Sequence, residues 1–184
     1  LNDAPAHPLS FRYTAAPLGG SWEKHAFGDR LEDCLGGFTM EDVADALADM
    51  ERGWGEGLRW YEQALCPLPP AAGAEQRSRA MDELRCAQMI GLQLRSAANL
   101  FRFHLERRVL VERHGLTPPC DLPKTESLQR LMRDEIQNAR AALPLVEADP
   151  RLGYHQEAHV YMYSAALIRD KLARMERELD GACG

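Results

Sequence analysis

The sequence predicts an all-α protein, an antiparallel bundle of about four helices that follows an irregular N-terminal arm. Apolar residues recur at helical spacing in four segments, connectors containing Pro and Gly separate those segments, and strand-like alternation is confined to one short patch. Amphipathic helices joined by short connectors pack side by side, because each helix must bury its apolar face. The predicted boundaries are an arm over residues 1–38 and a helical bundle domain over residues 39–184.

The arm contains several prolines and two glycine pairs, which interrupt regular structure. Within it, the patch LSFRYT alternates apolar and polar residues and predicts one short strand over residues 9–14. An isolated strand needs a partner, which a longer parent protein could supply from a preceding domain. Trp22 also lies in this arm, where it is a candidate to contact a ligand or another domain.

The first helix is predicted to begin after Thr39, since Asp42 three residues later can complete a capping pair. Its predicted buried stripe consists of Val43, Leu47, Met50, Trp54, Leu58, Tyr61 and Leu65. Three glycines interrupt this helix, Gly53, Gly55 and Gly57, each at a cost of about 1 kcal/mol relative to alanine. A kink or a closely packed neighbouring element is the favoured explanation, and a ligand lying against the bare backbone is the alternative.

Three further helices follow. The second is predicted over residues 75–113, a length of roughly 50 to 60 Å at 1.5 Å per residue. The third is capped by Thr125 or Ser127, and Pro144 is expected to stop or kink it. The fourth begins near Ser164. The predicted stripes of the last two helices are Leu128, Met132, Ile136, Ala139, Leu143 and Val146, followed by Ile168, Leu172, Met175 and Leu179.

The composition narrows the possible functions. The 184 residues carry a net charge of −6, whereas binding to nucleic-acid phosphates depends on clustered Lys and Arg, so we expect no nucleic-acid partner. No apolar run approaches the roughly 20 residues that span a bilayer, so we expect no membrane partner. The start at Leu1 without a methionine favours a piece of a longer parent protein.

The five cysteines show no Cys-x-x-Cys spacing and predict neither a zinc ribbon nor a closed disulfide framework. Cys86 lies in an apolar helical run and is expected to be buried. A disulfide between Cys66 and Cys120, both in Pro-rich connectors, stays open.

The connection between the third and fourth helices has the densest set of candidate ligands. If the backbone is extended, His155, Glu157 and His159 point to one side, as metal ligands would; in a helix, only the two histidines align. The structural alternative is that Asp149 pairs locally with Arg151 and that the His and Glu side chains cap or bridge helix ends. Tyr154, in the same irregular segment, is free to meet a ligand or another domain.

Residues 130–176 contain an Asp-Glu-Ile-x-Asn pattern, then an Asp-x-Arg-Leu-Gly pattern, then an aromatic and acidic segment that leads into a helix with lysine. The residues of these patterns are Asp134, Glu135, Ile136, Asn138, Asp149, Arg151, Leu152, Gly153, Glu157 and Lys171. They give the stretch a resemblance to the C-terminal helical region of large bacterial glycoside-hydrolase-like proteins. It implies a helical domain that packs beside a barrel-like catalytic domain absent from this chain, and it transfers no catalytic residue.

The resemblance therefore favours a non-catalytic accessory domain of a larger carbohydrate-active protein. The expected partner is the catalytic domain of the same parent chain, with carbohydrate as a second candidate, and no cofactor or metal is expected. The alternative is a free-standing helical-bundle enzyme that binds zinc or iron through residues 155–159. The structural or binding candidates are Asp149, Arg151, Tyr154, His155, Glu157, His159 and Trp22.

Overall fold

The computed structural model describes residues 11–15, 31, 35–65, 73–155, 160–161 and 164–181, with the backbone alone at 154, 155, 160 and 161. Four helices account for most of this chain and confirm the predicted all-α class. They are α1 (Met40–Leu65), α2 (Ala74–Arg113), α3 (Glu126–Ala148) and α4 (Ala165–Asp180). Each helix packs against the next along the chain.

Local capping determines where the helices begin and end. The Asp42 backbone N–H donates to Thr39 Oγ1 at 3.1 Å, and the Thr39 N–H donates to Asp42 Oδ2 at 2.9 Å, which confirms the predicted pair. Thr125 caps α3 and Ser164 caps α4, each accepting from a backbone N–H three residues later at 3.3 Å. α4 ends at Gly181, whose φ of +77° suits glycine best.

The stop expected at Pro144 and the burial expected of Cys86 are wrong. α3 does not stop at Pro144 but continues to Ala148, because the flanking residues Ala142 and Val146 are buried and their packing holds the last turns helical. Cys86 is exposed rather than buried. The thiols of Cys86 and Cys120 are both free, and Cys66 lies outside the described residues.

Two pairs of very short strands accompany the helices. β1 (Thr14–Ala15) pairs antiparallel with β2 (Cys120–Asp121), with Thr14 opposite Asp121. Of the predicted strand over residues 9–14, residues 9 and 10 lie outside the described part of the chain and residues 11–13 are not strand. The partner of β1 comes from the α2–α3 connection rather than from another domain. β3 (Tyr154–His155) pairs antiparallel with β4 (Val160–Tyr161) in the α3–α4 connection, after a 3-10 turn over Pro150–Gly153.

The core lies between the C-terminal half of α2, α3 and α4. The described part of the arm covers one side of the core. The centre of the Phe11 ring lies 5.2 Å from the centre of the Phe103 ring, and the Tyr13 N–H donates to Glu178 Oε1 at 2.7 Å. The predicted stripes of α3 and α4 are largely confirmed. The fully or largely buried members are Leu128, Met132, Ile136, Ala139, Val146, Ile168, Leu172 and Met175.

The predicted stripe of α1 is confirmed only in part: Leu47 is buried, whereas Leu58, Tyr61 and Leu65 are half-buried. Only the first turns of α1 are buried, through Met40, Ala44 and Leu47. Met50 is 54% exposed and Trp54 is 37% exposed. The reason is geometric: α2 has 40 residues whereas α3 has 23, so the first turns of α2 extend beyond α3, whose Asn138 lies beside Leu92 of α2. We call this pair, residues 50–65 and 74–91, the α1–α2 hairpin.

Candidate functional site

A charged pair lies at the centre of the core, where charged side chains are rarely tolerated. Glu135 on α3 and Lys171 on α4 are both 0% exposed, and Lys171 Nζ donates to Glu135 Oε1. Two α2 side chains complete the arrangement: Ser96 Oγ donates to Glu135 Oε1 at 2.6 Å, and Asn99 Nδ2 donates to Oε2 at 2.9 Å. One carboxylate thus joins three helices.

The arm covers this group, which we call the Glu135–Lys171 cluster (Glu135, Lys171, Ser96, Asn99 and Phe11). Lys171 Nζ lies 5.3 Å from the centre of the Phe11 ring, within the range of a cation–π contact. Both carboxylate oxygens accept hydrogen bonds, which is the condition under which a buried ion pair offsets its desolvation cost. The charged groups have no access to solvent, and the cluster joins α2, α3 and α4.

The sequence contains a sign of this cluster that the predicted apolar stripes left out. Glu135 lies between the buried residues Met132 and Ile136, and Lys171 lies next to the buried Leu172. A charged residue on an apolar stripe indicates a buried partner. One turn further along α3, Asn138 Nδ2 donates to the Leu92 carbonyl oxygen of α2 at 2.8 Å. Three positions of the Asp-Glu-Ile-x-Asn and final-helix patterns, those of Glu135, Asn138 and Lys171, therefore make contacts between helices.

Asp149 and Arg151 form the predicted local pair at the end of α3. Arg151 donates from Nε to Asp149 Oδ1 at 2.8 Å, from an Nη to Oδ2 at 2.7 Å, and from its backbone N–H to Oδ1 at 3.0 Å. The hydrogen bond from the Arg151 side chain lowers the pKa of Asp149 below its ordinary value. The backbone of Asp149 is extended, as expected before Pro150, so this pair shapes the chain as it leaves the helix.

For the metal-site hypothesis, the structure tests only the backbone conformation at His155. His155 lies in β3, opposite Val160, so the helical alternative at this position is wrong. The side chains of Tyr154 and His155, and the whole of Glu157, His159 and Trp22, lie outside what the structure describes. Among the residues that it does describe, no group of three or more His, Cys, Asp or Glu side chains could hold a metal ion. A site formed by residues 155–159 stays a prediction.

A groove of about 540 Å³ runs along the α1–α2 hairpin. Its lining residues are Gly53, Trp54, Gly57, Leu58, Tyr61, Glu83 and Ala87. We call it the α1–α2 groove. Tyr61 Oη donates to Glu83 Oε2 at 2.7 Å, which raises the pKa of Tyr61, and Trp54 Nε1 donates to the Ala87 carbonyl oxygen at 2.7 Å. These two bonds hold the hairpin together along its length.

The three glycines of α1 face open space. No described heavy atom lies within 4 Å of the position where a Cβ would stand on Gly53, Gly55 or Gly57, so the expected close packing there is wrong. Close approach occurs instead on α2, where a Cβ on Gly91 would lie 3.1 Å from Trp54 Cδ1. Gly91 makes room for the Trp54 ring, whereas the α1 glycines leave a groove.

No protein-family model, curated protein or solved structure matches this chain. Within the described residues, no helix is both long enough and apolar enough to cross a membrane. The charged pair of the core is enclosed, whereas the α1–α2 hairpin presents aromatic and apolar groups to solvent. The hairpin is therefore the candidate functional surface.

Proposed function

We propose that this chain is a non-catalytic helical accessory domain of a larger carbohydrate-active protein of the glycoside-hydrolase-like kind, and that it packs against the catalytic domain of that protein. The observation that carries the proposal is the enclosure of the Glu135–Lys171 cluster. A general acid or base must reach its substrate within hydrogen-bonding distance. Two groups with no solvent exposure, each bonded to the other, serve to join α3 and α4.

The exposed apolar side chains of the hairpin support the packing role. Trp60 is 73% exposed, Met50 is 54% exposed and Met81 is 43% exposed, and they lie on the same two helices. Exposed apolar groups that are gathered on one part of a surface are typical of contact with another protein. The identity of the larger protein rests on the resemblance over residues 130–176 alone.

The test uses the neighbouring domain encoded in the same reading frame, expressed separately from the 184-residue chain. We expect the two to form a one-to-one complex in analytical ultracentrifugation, and we expect glycoside hydrolysis in the neighbouring domain only. A catalytic domain from an unrelated glycoside hydrolase is the control and should not bind. Hydrolysis of a glycoside by the chain alone, or a neighbour without affinity for it, would contradict the proposal.

A further inference from the structure

α1 carries a second uncharged stripe that points away from the core. The stripe consists of Ala46, Met50, Gly53, Gly57, Trp60 and Ala64, and all six are exposed. We call it the outer seam. Its spacings of 4, 3, 4, 3 and 4 residues are those of a helix that packs lengthwise along another helix. The turns of α1 that face α2 use a different set of residues, which includes Leu47 and Leu58.

The outer seam continues into the α1–α2 groove. Gly53 and Gly57 belong to both, and the absence of side chains at these positions lets a second backbone approach closely. Met50 and Trp60 stand on either side of the two glycines as large apolar contacts. Small residues at the centre with large apolar residues at the ends form a shallow trough whose length suits a helix of about three to five turns.

The charge on the α1 side of this trough is one-sided, whereas residues 74–91 on the α2 side carry three acidic and three basic side chains. α1 carries seven acidic and two basic side chains, a net charge of −5, in a chain whose total net charge is −6. Asp42, Asp49 and Glu56 recur every seven residues along one edge of the outer seam, and Glu83 lies across the groove on α2. Positions that flank such a seam select partners by charge, so a second α1 is repelled and a basic edge is attracted.

We propose that the outer seam and the α1–α2 groove dock one amphipathic helix whose apolar stripe is bordered by Lys or Arg. The inference deepens the proposed function, since it assigns the surface and the kind of element through which the accessory domain would hold its neighbour. The apolar stripe covers Met50 and Trp60, and the basic edge lies along the carboxylate of Glu56 and the second oxygen of Asp49, whose Oδ1 accepts from Arg52.

The probe is a synthetic helical peptide of roughly three heptads, with Leu and Ala in its apolar stripe and Lys on both flanks. A second peptide has the same stripe with Glu on its flanks. Binding is followed through tryptophan fluorescence and titration calorimetry. We expect the Lys peptide to bind at least about tenfold more tightly than the Glu peptide, and to weaken as salt screens the flanking charges.

Two variants, each of which makes the net charge more negative by one, distinguish binding at the outer seam from binding elsewhere on α1. Gly57→Glu places a charged side chain in the trough at an open helical position, so the helix itself is not weakened. Arg59→Gln removes one positive charge on the opposite side of the helix. We expect Gly57→Glu to weaken Lys-peptide binding at least about tenfold and Arg59→Gln to change it less than about twofold. Circular dichroism confirms that both variants stay folded.

Binding of the neighbouring domain to the same two variants is the second measurement. It separates the test of this inference from the test of the proposed function. Loss of neighbour binding in Gly57→Glu but not in Arg59→Gln supports both. Equal neighbour binding by the two variants overturns the inference and leaves the proposed function standing. Lys-peptide binding without neighbour binding supports the inference and removes the proposed function. Two other outcomes assign the surface to another occupant and overturn the inference. The first is self-association of the chain that Gly57→Glu abolishes. The second is a change in tryptophan fluorescence, at Trp60, with oligosaccharides but not with the Lys peptide.

Discussion

The two halves of α2 lie in different surroundings, and the difference separates stability from recognition. Its C-terminal half contains Ala97, Phe101 and Phe103, each at most 3% exposed, and bonds to Glu135. Its N-terminal half meets α1 across a groove and three hydrogen bonds, and it meets α3 near its end, where the Leu92 carbonyl oxygen accepts from Asn138. One continuous helix thus joins a buried core to a more exposed hairpin. The polar groups of the core stabilise the fold, and the hairpin can contact another protein.

The largest expected effect lies in the sealed half. Glu135→Leu leaves the Lys171 ammonium buried without its carboxylate, and we expect the free energy of unfolding to fall by about 3 to 5 kcal/mol. The double variant Glu135→Leu/Lys171→Met removes both charges and should lose less than the single variant. Urea unfolding of the single and double variants measures this. A single-variant loss below about 1 kcal/mol would show that the cluster does not fasten the helices.

Truncation of apolar side chains compares the two halves directly. Ile136 is 5% exposed in the core, so Ile136→Ala should cost about 2 to 5 kcal/mol through the cavity it leaves. Leu58 is only partly buried in the groove wall, and Leu58→Ala should cost clearly less. Arg108→Ala, which removes an exposed pair with Glu41, should cost less than about 1 kcal/mol. Equal losses at Ile136 and Leu58 would mean that the hairpin is packed as tightly as the core.

Two glycine substitutions test the open groove within the hairpin itself. Gly57→Ala adds a methyl group in open space and should stabilise the protein by about 0.5 to 1 kcal/mol through helix propensity. Gly91→Ala gains the same propensity but places its Cβ 3.1 Å from Trp54 Cδ1, so its gain should be smaller or reversed. Thermal unfolding of the two variants gives the comparison, and a lower melting temperature for Gly57→Ala than for Gly91→Ala would contradict it.

The smallest effect concerns the Asp149–Arg151 pair, which lies outside both halves. Arg151 holds the pKa of Asp149 below its ordinary value, so the stabilisation is fully present above the unfolded-state pKa near 3.9 and is lost as the pH falls through the lowered pKa. Asp149→Asn should therefore lower the melting temperature slightly at pH 7. The gap between variant and wild type should close below about pH 3. A gap that does not change with pH would exclude the ion pair as its cause.

The sequence predicted features that depend on neighbours along the chain. The starts of α1, α3 and α4 follow from Thr39, Thr125 and Ser164, because a cap involves residues three positions apart. The pairing of Glu135 with Lys171 was not predicted, since it depends on how two helices are rotated about their axes, which spacing within either helix does not specify.

The same limit explains why Met50 was placed on the wrong face of α1. This helix has two uncharged stripes, one facing α2 and one forming the outer seam, and the predicted stripe mixed them: Leu47 belongs to the first and Met50 to the second. Periodicity identifies an apolar face but does not say which of two faces the fold covers. That choice is made by the different lengths of α2 and α3.

Amide hydrogen exchange of the intact chain tests the central contrast most directly, since it reports the opening free energy of each region in one experiment. We predict that amides of residues 97–103 and 131–139, around the Glu135–Lys171 cluster, exchange only through global unfolding. Amides of residues 53–65, in the α1–α2 hairpin, should exchange through local opening at a lower free energy. Equal protection of the hairpin and the core would contradict the account, because the two would then open as a single unit.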